Sequence, residues 1–73
     1  MARPAHPLGE VELAVQFAEA NGWRYVASRG HPWGRLMCPG AQRGACIMSV
    51  WSTPRDAYVH AQQIRRRVRN CPH

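Results

Sequence analysis

Apolar residues recur at helical spacing early in the chain and again at its end, with an alternating stretch between. Across residues 8 to 21, Val11, Ala14, Val15 and Ala18 fall on one face and Leu13 and Phe17 widen it, which predicts an amphipathic helix. Asn21-Gly22 is its stop, with Gly22 suited to a left-handed C-terminal position. The period then drops to two: Trp23, Tyr25 and Ala27 alternate with Arg24, Val26 and Ser28, as in a half-buried strand. Arg29-Gly30-His31-Pro32 reads as a turn, Trp33 to Cys38 as a second strand, Pro39 to Gly44 as another turn, and Ala45 to Trp51 as a third strand. Such short connections favour an antiparallel meander.

The closing helix has the clearest start signals. Thr53 is a good N-cap, Pro54 suits the first helical position, and Asp56 sits where a capping-box acid belongs. Ala57, Ala61, Ile64 and Val68 form its apolar stripe. The expected fold class is therefore α+β in the order α-β-β-β-α: a three-stranded antiparallel sheet with both helices packed on one face. Residues 1 to 7, rich in proline, read as a flexible lead-in, and residues 8 to 73 as a single domain.

Composition narrows the partners. The 73 residues carry a formal net charge of +6, and every basic residue is arginine. Arginine presents a planar fork that matches phosphate and stacks on bases, which favours a nucleic-acid partner. Base composition of the coding sequence can explain why lysine is missing, but not the net charge. No apolar run approaches the ~20 residues a membrane span needs, and the N-terminus lacks the apolar core of a signal peptide. A cytoplasmic location with reduced thiols is the expectation. A chain this small buries a modest core and gains much from a metal, a disulfide or a partner.

The meander makes a geometric prediction. The last helix should start near the Arg29–Pro32 turn and run back toward the Pro39–Gly44 turn, so that Cys71 and His73 arrive beside Cys38 and Cys46. Three Cys and one His form a common structural zinc set, although the C-x7-C…C-x-H spacing is not that of a ribbon or knuckle. Small buried thiols, or a Cys38–Cys46 cross-strand disulfide, are the competing readings; the odd number of cysteines argues against a closed disulfide framework.

At the opposite pole lie Arg29, Gly30 and His31, with Arg35 following. On the last helix Asp56, His60, Gln63 and Arg67 form a polar stripe, and Asp56 stands one turn before His60, able to orient its imidazole. Metal-free RNA cleavage needs such groups: a base for the 2′-OH, an acid for the leaving oxygen and cations for the phosphorane. Against this, a turn histidine is commonly just solvated and an Asp-His pair commonly just a cap. Trp23, Trp33 and Trp51 could stack unpaired bases, although core packing suits at least two of them. Arg65, Arg66 and Arg67 encircle the helix, Arg65 and Arg69 share a face, and Arg66 points away from the core.

The stretch Ala-Asn-Gly-Trp-Arg-Tyr-Val-Ala-Ser-Arg-Gly-His, residues 20 to 31, together with the element order, resembles HicA-type mRNA interferase toxins. The resemblance implies a double-stranded-RNA-binding-domain-like fold, RNA as substrate, cleavage that requires no metal, and a HicB-like antitoxin as partner. It puts the family's catalytic histidine on His31, the only match; the residue pattern itself adds His60 as a second group and Arg29, Arg35, Arg65, Arg67 and Arg69 as RNA ligands. Gly30 is followed directly by His31 where the family has Gly-Ser-His, and the cysteine set lies outside the family pattern. Two other readings stand beside it: a non-enzymatic nucleic-acid-binding module with a structural zinc site (Cys38, Cys46, Cys71, His73), and an arginine-rich module that docks on an acidic protein.

Overall fold

The computed structural model describes residues 3–27, 32–40 and 46–71. Its elements follow the expected order: α1 (Gly9–Ala20), β1 (Arg24–Ala27), β2 (Pro32–Met37), β3 (Ile47–Trp51) and α2 (Ala57–Asn70). The strands form one antiparallel sheet in the order β1-β2-β3. The proposed turn residues Arg29, Gly30 and His31, and residues 41–45, lie outside the described residues.

Helix α1 buries Val11, Ala14, Val15 and Ala18, the face set by its periodicity. Leu13, expected to widen that face, is 58% exposed instead. The helix closes with a Schellman arrangement. The Gly22 N–H donates to Glu19 O and the Trp23 N–H to Ala18 O, each at 3.0 Å, while Gly22 takes φ +89°. An added Cβ at Gly22 would meet Pro39 Cβ at 3.3 Å, so glycine answers both conformation and space.

Helix α2 begins later than its sequence signals suggest. Asp56, not Thr53, is the N-cap, and its carboxylate accepts from the Val59 N–H at 3.1 Å. Pro54 therefore precedes the helix rather than opening it. Ala61, Ile64 and Val68 are buried as expected, and His60 is buried with them.

Both helices pack on one face of the sheet. Leu36 and Val50 project from β2 and β3 into the same core as Val11, Val15, Ala61 and Ile64, with Trp23 and Cys38 at its margin. A bulge between Pro32 and Gly34 interrupts the β2–β3 register. There Trp33 meets the rings of His6 and Tyr25 at centroid distances of 4.8 and 4.9 Å.

The N-terminal segment is docked from residue 3, unlike the loose lead-in read from its prolines. The Arg3 guanidinium bonds both carboxylate oxygens of Glu12 (2.8 and 2.9 Å) and both of Glu19 (2.8 and 2.9 Å). Its Cζ also stands 5.7 Å from the Trp33 ring centre. His6, only 5% exposed, accepts the Leu8 N–H at Nδ1 and donates from Nε2 to Trp51 O. Two acids on one face of α1, Glu12 and Glu19, supply the anchor.

Candidate metal centre and basic surface

Three separate segments deliver the cysteines. Cys38 follows β2, Cys46 precedes β3, and Cys71 is the C-cap of α2. The hairpin ladder continues past the strands, with the Cys38 N–H donating to Cys46 O at 2.9 Å, which holds the first two side by side. The antiparallel return of α2 brings the third. All three Sγ atoms lie within 4.8 Å of one another, and none is in a disulfide. The expected convergence at this pole is thus present for the three cysteines; His73 lies outside the described residues.

The chemistry of the cluster suits a thiophilic cation. The Cys46 N–H donates to Cys38 Sγ at 3.1 Å, and the Cys38 thiol points to Gly40 O at 3.7 Å. An N–H aimed at sulfur is also the outer-shell contact that orients a metal-bound cysteine. The Cys46 thiol is pushed up from its ordinary value by its hydrogen bond with Cys71, then by burial and by the charges of Cys71 and Cys38; Arg67 pulls the other way. Three thiolates gathered this closely would repel one another, and a bound dication supplies the compensating positive charge. A tetrahedral site with Zn–S of about 2.3 Å needs sulfurs about 3.8 Å apart, a small contraction of this arrangement. The three cysteines are positioned to hold a metal ion.

At the other pole Asp56 and His60 do not form the pair that their spacing suggests. His60 is 7% exposed and its Nε2 accepts the Trp51 N–H at 3.2 Å. Burial, the largest cause, holds its imidazole below the ordinary value, the charge of His6 acts in the same direction, and Gln63 opposes them. Asp56 does not orient this ring; its carboxylate is taken by the Val59 N–H. His60 is thus committed to holding the chain where β3 leaves the sheet. It also lines a surface hollow of about 630 Å³ with Trp51, Thr53, Arg55, Asp56 and Gln63. His31 and Arg29 lie outside the described residues.

The arginines of α2 diverge. Arg65 places its Cζ 5.7 Å from the Phe17 ring centre, toward α1. Arg69 donates from Nε to Arg65 O at 3.4 Å, on the same flank. Arg67 reaches the opposite way, its Nη2 donating to Ile47 O at 3.4 Å on the β3 edge. Arg66 and Arg67 border a second hollow of about 380 Å³ with Met48, Gln63 and Asn70. Arg35 is exposed on the sheet face away from the helices, paired across the strands with Ser49. Arg3 and His6, which pin the chain start over Trp33 and Trp51, escape a reading confined to local pattern; the i, i+7 pair Glu12 and Glu19 was the available signal.

No protein-family model, no curated protein and no solved structure matches this chain. Among the described residues, no helix is long and apolar enough to cross a membrane.

Proposed function

We propose that this chain is an RNA-binding module whose arginine-bearing helix α2 is anchored by zinc on Cys38, Cys46 and Cys71, with His73 as fourth ligand. The observation that carries the reading is the meeting of three thiols from three segments at the end of a helix that bears Arg65, Arg66, Arg67 and Arg69. A structural zinc closes the open end of a small domain, and the net charge of +6 favours a polyanion. Reduced thiols of this kind suit the cytoplasm.

The test joins both halves. Native mass measurement of the purified protein is expected to find one zinc per chain, lost on Cys71→Ser. Binding to single-stranded RNA is expected to weaken steeply as salt rises, and to weaken further when zinc is removed. Absence of zinc together with salt-independent RNA affinity removes the proposal. Absence of any RNA affinity at physiological salt leaves the arginine helix to an acidic protein.

The α-β-β-β-α order favours a second reading, a HicA-like mRNA interferase restrained by a HicB-like antitoxin. In it His31 takes or gives the proton at the cleaved phosphodiester and Arg35 steadies the phosphate, while His60 acts by holding the Trp51 peptide. Chelator-treated protein then still cleaves RNA, and His31→Ala stays folded but inert. Equal cleavage by that variant rejects the catalytic role.

A further inference from the structure

The helices cover one face of the sheet and leave the other to solvent. Strand alternation assigns seven residues to that open face, opposite the buried Leu36 and Val50. Arg24, Met37 and Ile47 form one cross-strand row, Val26, Arg35 and Ser49 the next, and Trp51 stands at the end of β3. Ile47 is 47% exposed, Trp51 46% and Val26 37%. Trp23, by contrast, is buried and Trp33 is packed against the core, so Trp51 is the indole available to a partner. Arg24 lays its Nη2 against Met37 Sδ at 4.0 Å, and Arg67 reaches the β3 edge beside Ile47. The first row is thereby apolar in the middle and cationic at both ends.

The acids are all elsewhere. Glu10, Glu12 and Glu19 lie on α1, and Asp56 caps α2. Glu12 and Glu19 are moreover occupied by Arg3. The open face thus carries arginine, aliphatic and indole groups without a carboxylate, a composition complementary to something flat, apolar and anionic at once.

We propose that this open sheet face is a platform for unpaired nucleic-acid bases, with Trp51 stacking a base and Arg24, Arg35 and Arg67 holding the adjoining phosphates. The inference rests on the RNA-binding reading above and says where the strand lies. Base faces are accessible in a single strand and hidden in a duplex, so a flat sheet selects the unpaired form. An acidic peptide satisfies the arginines but gives the indole no stacking partner.

The experiment uses the full chain with zinc, a labelled unstructured oligoribonucleotide, the same oligonucleotide annealed to its complement, and polyglutamate as competitor. The single strand is expected to quench tryptophan fluorescence, to bind about tenfold or more tighter than the duplex, and to outcompete polyglutamate at equal charge. Trp51→Leu and the double variant Arg24→Ser/Arg35→Ser each alter exposed side chains only, and thermal unfolding confirms their fold. Each is expected to lose about tenfold or more in affinity, and Trp51→Leu to lose most of the quenching. Wild-type affinity in both variants overturns the platform while leaving the RNA-binding reading intact. Equal binding of duplex, or equal competition by polyglutamate, also overturns it. No binding of any RNA by the wild-type protein defeats the RNA-binding reading itself, and the platform with it.

Discussion

His6 and His60, from opposite ends of the chain, grip one peptide group pair: His6 donates from Nε2 to Trp51 O at 2.8 Å, and His60 Nε2 accepts the Trp51 N–H at 3.2 Å. The clamp ties the N-terminal segment, the end of β3 and the first turn of α2 together. It satisfies both polar groups of a residue that leaves the sheet, where ladder partners run out.

The clamp makes stability depend on pH through His60. Its folded imidazole is held below the ordinary value of about 6.5, chiefly by burial, so the unfolded chain takes up the proton first as pH falls. The stabilisation is full above that value and is lost as pH drops through it toward the folded pKa. Denaturant unfolding of metal-free protein is expected to show this decline as pH falls below about 6.5. His60→Leu is expected to be less stable at neutral pH by about 1–3 kcal/mol, because the Trp51 N–H loses its acceptor. It should also show a shallower slope; an unchanged slope assigns the pH dependence to another group.

Arg3 carries a second pH dependence, of carboxylate origin. Its guanidinium, through side-chain hydrogen bonds first, holds Glu12 down at about 2. The stabilisation is present above the unfolded value of about 4.3 and disappears as pH falls through the folded one. Arg3→Ser is expected to cost about 1–2 kcal/mol at neutral pH and to flatten acid unfolding in that window. Circular dichroism across an acid titration reads both effects, and an acid transition identical to wild type rejects the assignment.

Gly34 lies under a ring. A Cβ added there would come within 2.3 Å of Tyr25 Cε1, and that ring is itself flanked by Trp33. Gly34→Ala is therefore expected to destabilise by about 1–3 kcal/mol. Tyr25→Val should recover part of that loss in the double variant, as a double-mutant cycle reveals. Simple additivity of the two substitutions contradicts the contact.

The cysteine centre should add stability in proportion to metal. Zinc at a hundred times its dissociation constant is expected to raise unfolding free energy by about 2.7 kcal/mol, and a chelator to reverse it. Cys38→Ser and Cys71→Ser should each abolish that gain, and thiolate-to-metal absorption should appear when cobalt is substituted. A thermal midpoint indifferent to zinc and chelator counts against the centre.

Element identity was legible because helix and strand periods are local: Val11, Ala14, Val15 and Ala18 needed only spacing to declare a buried face. The exact start of α2 was less so. Thr53 and Asp56 are both competent caps, and the tether of His60 to Trp51 accompanies the later of the two. The cysteines were visible as residue types, and the meander topology was enough to bring Cys71 back to the Cys38–Cys46 hairpin.

The amino-acid sequence by itself determined the element order, the core stripes, the glycine stop at Gly22 and the excess of arginine. Tertiary structure alone decided which arginines share a surface, that Arg3 and His6 are docked, and that His60 is spent on a backbone N–H. The reason is range. Periodicity is written between neighbours three or four residues apart, whereas these partners are joined only when separate segments pack, and no local pattern encodes which polar group will meet which.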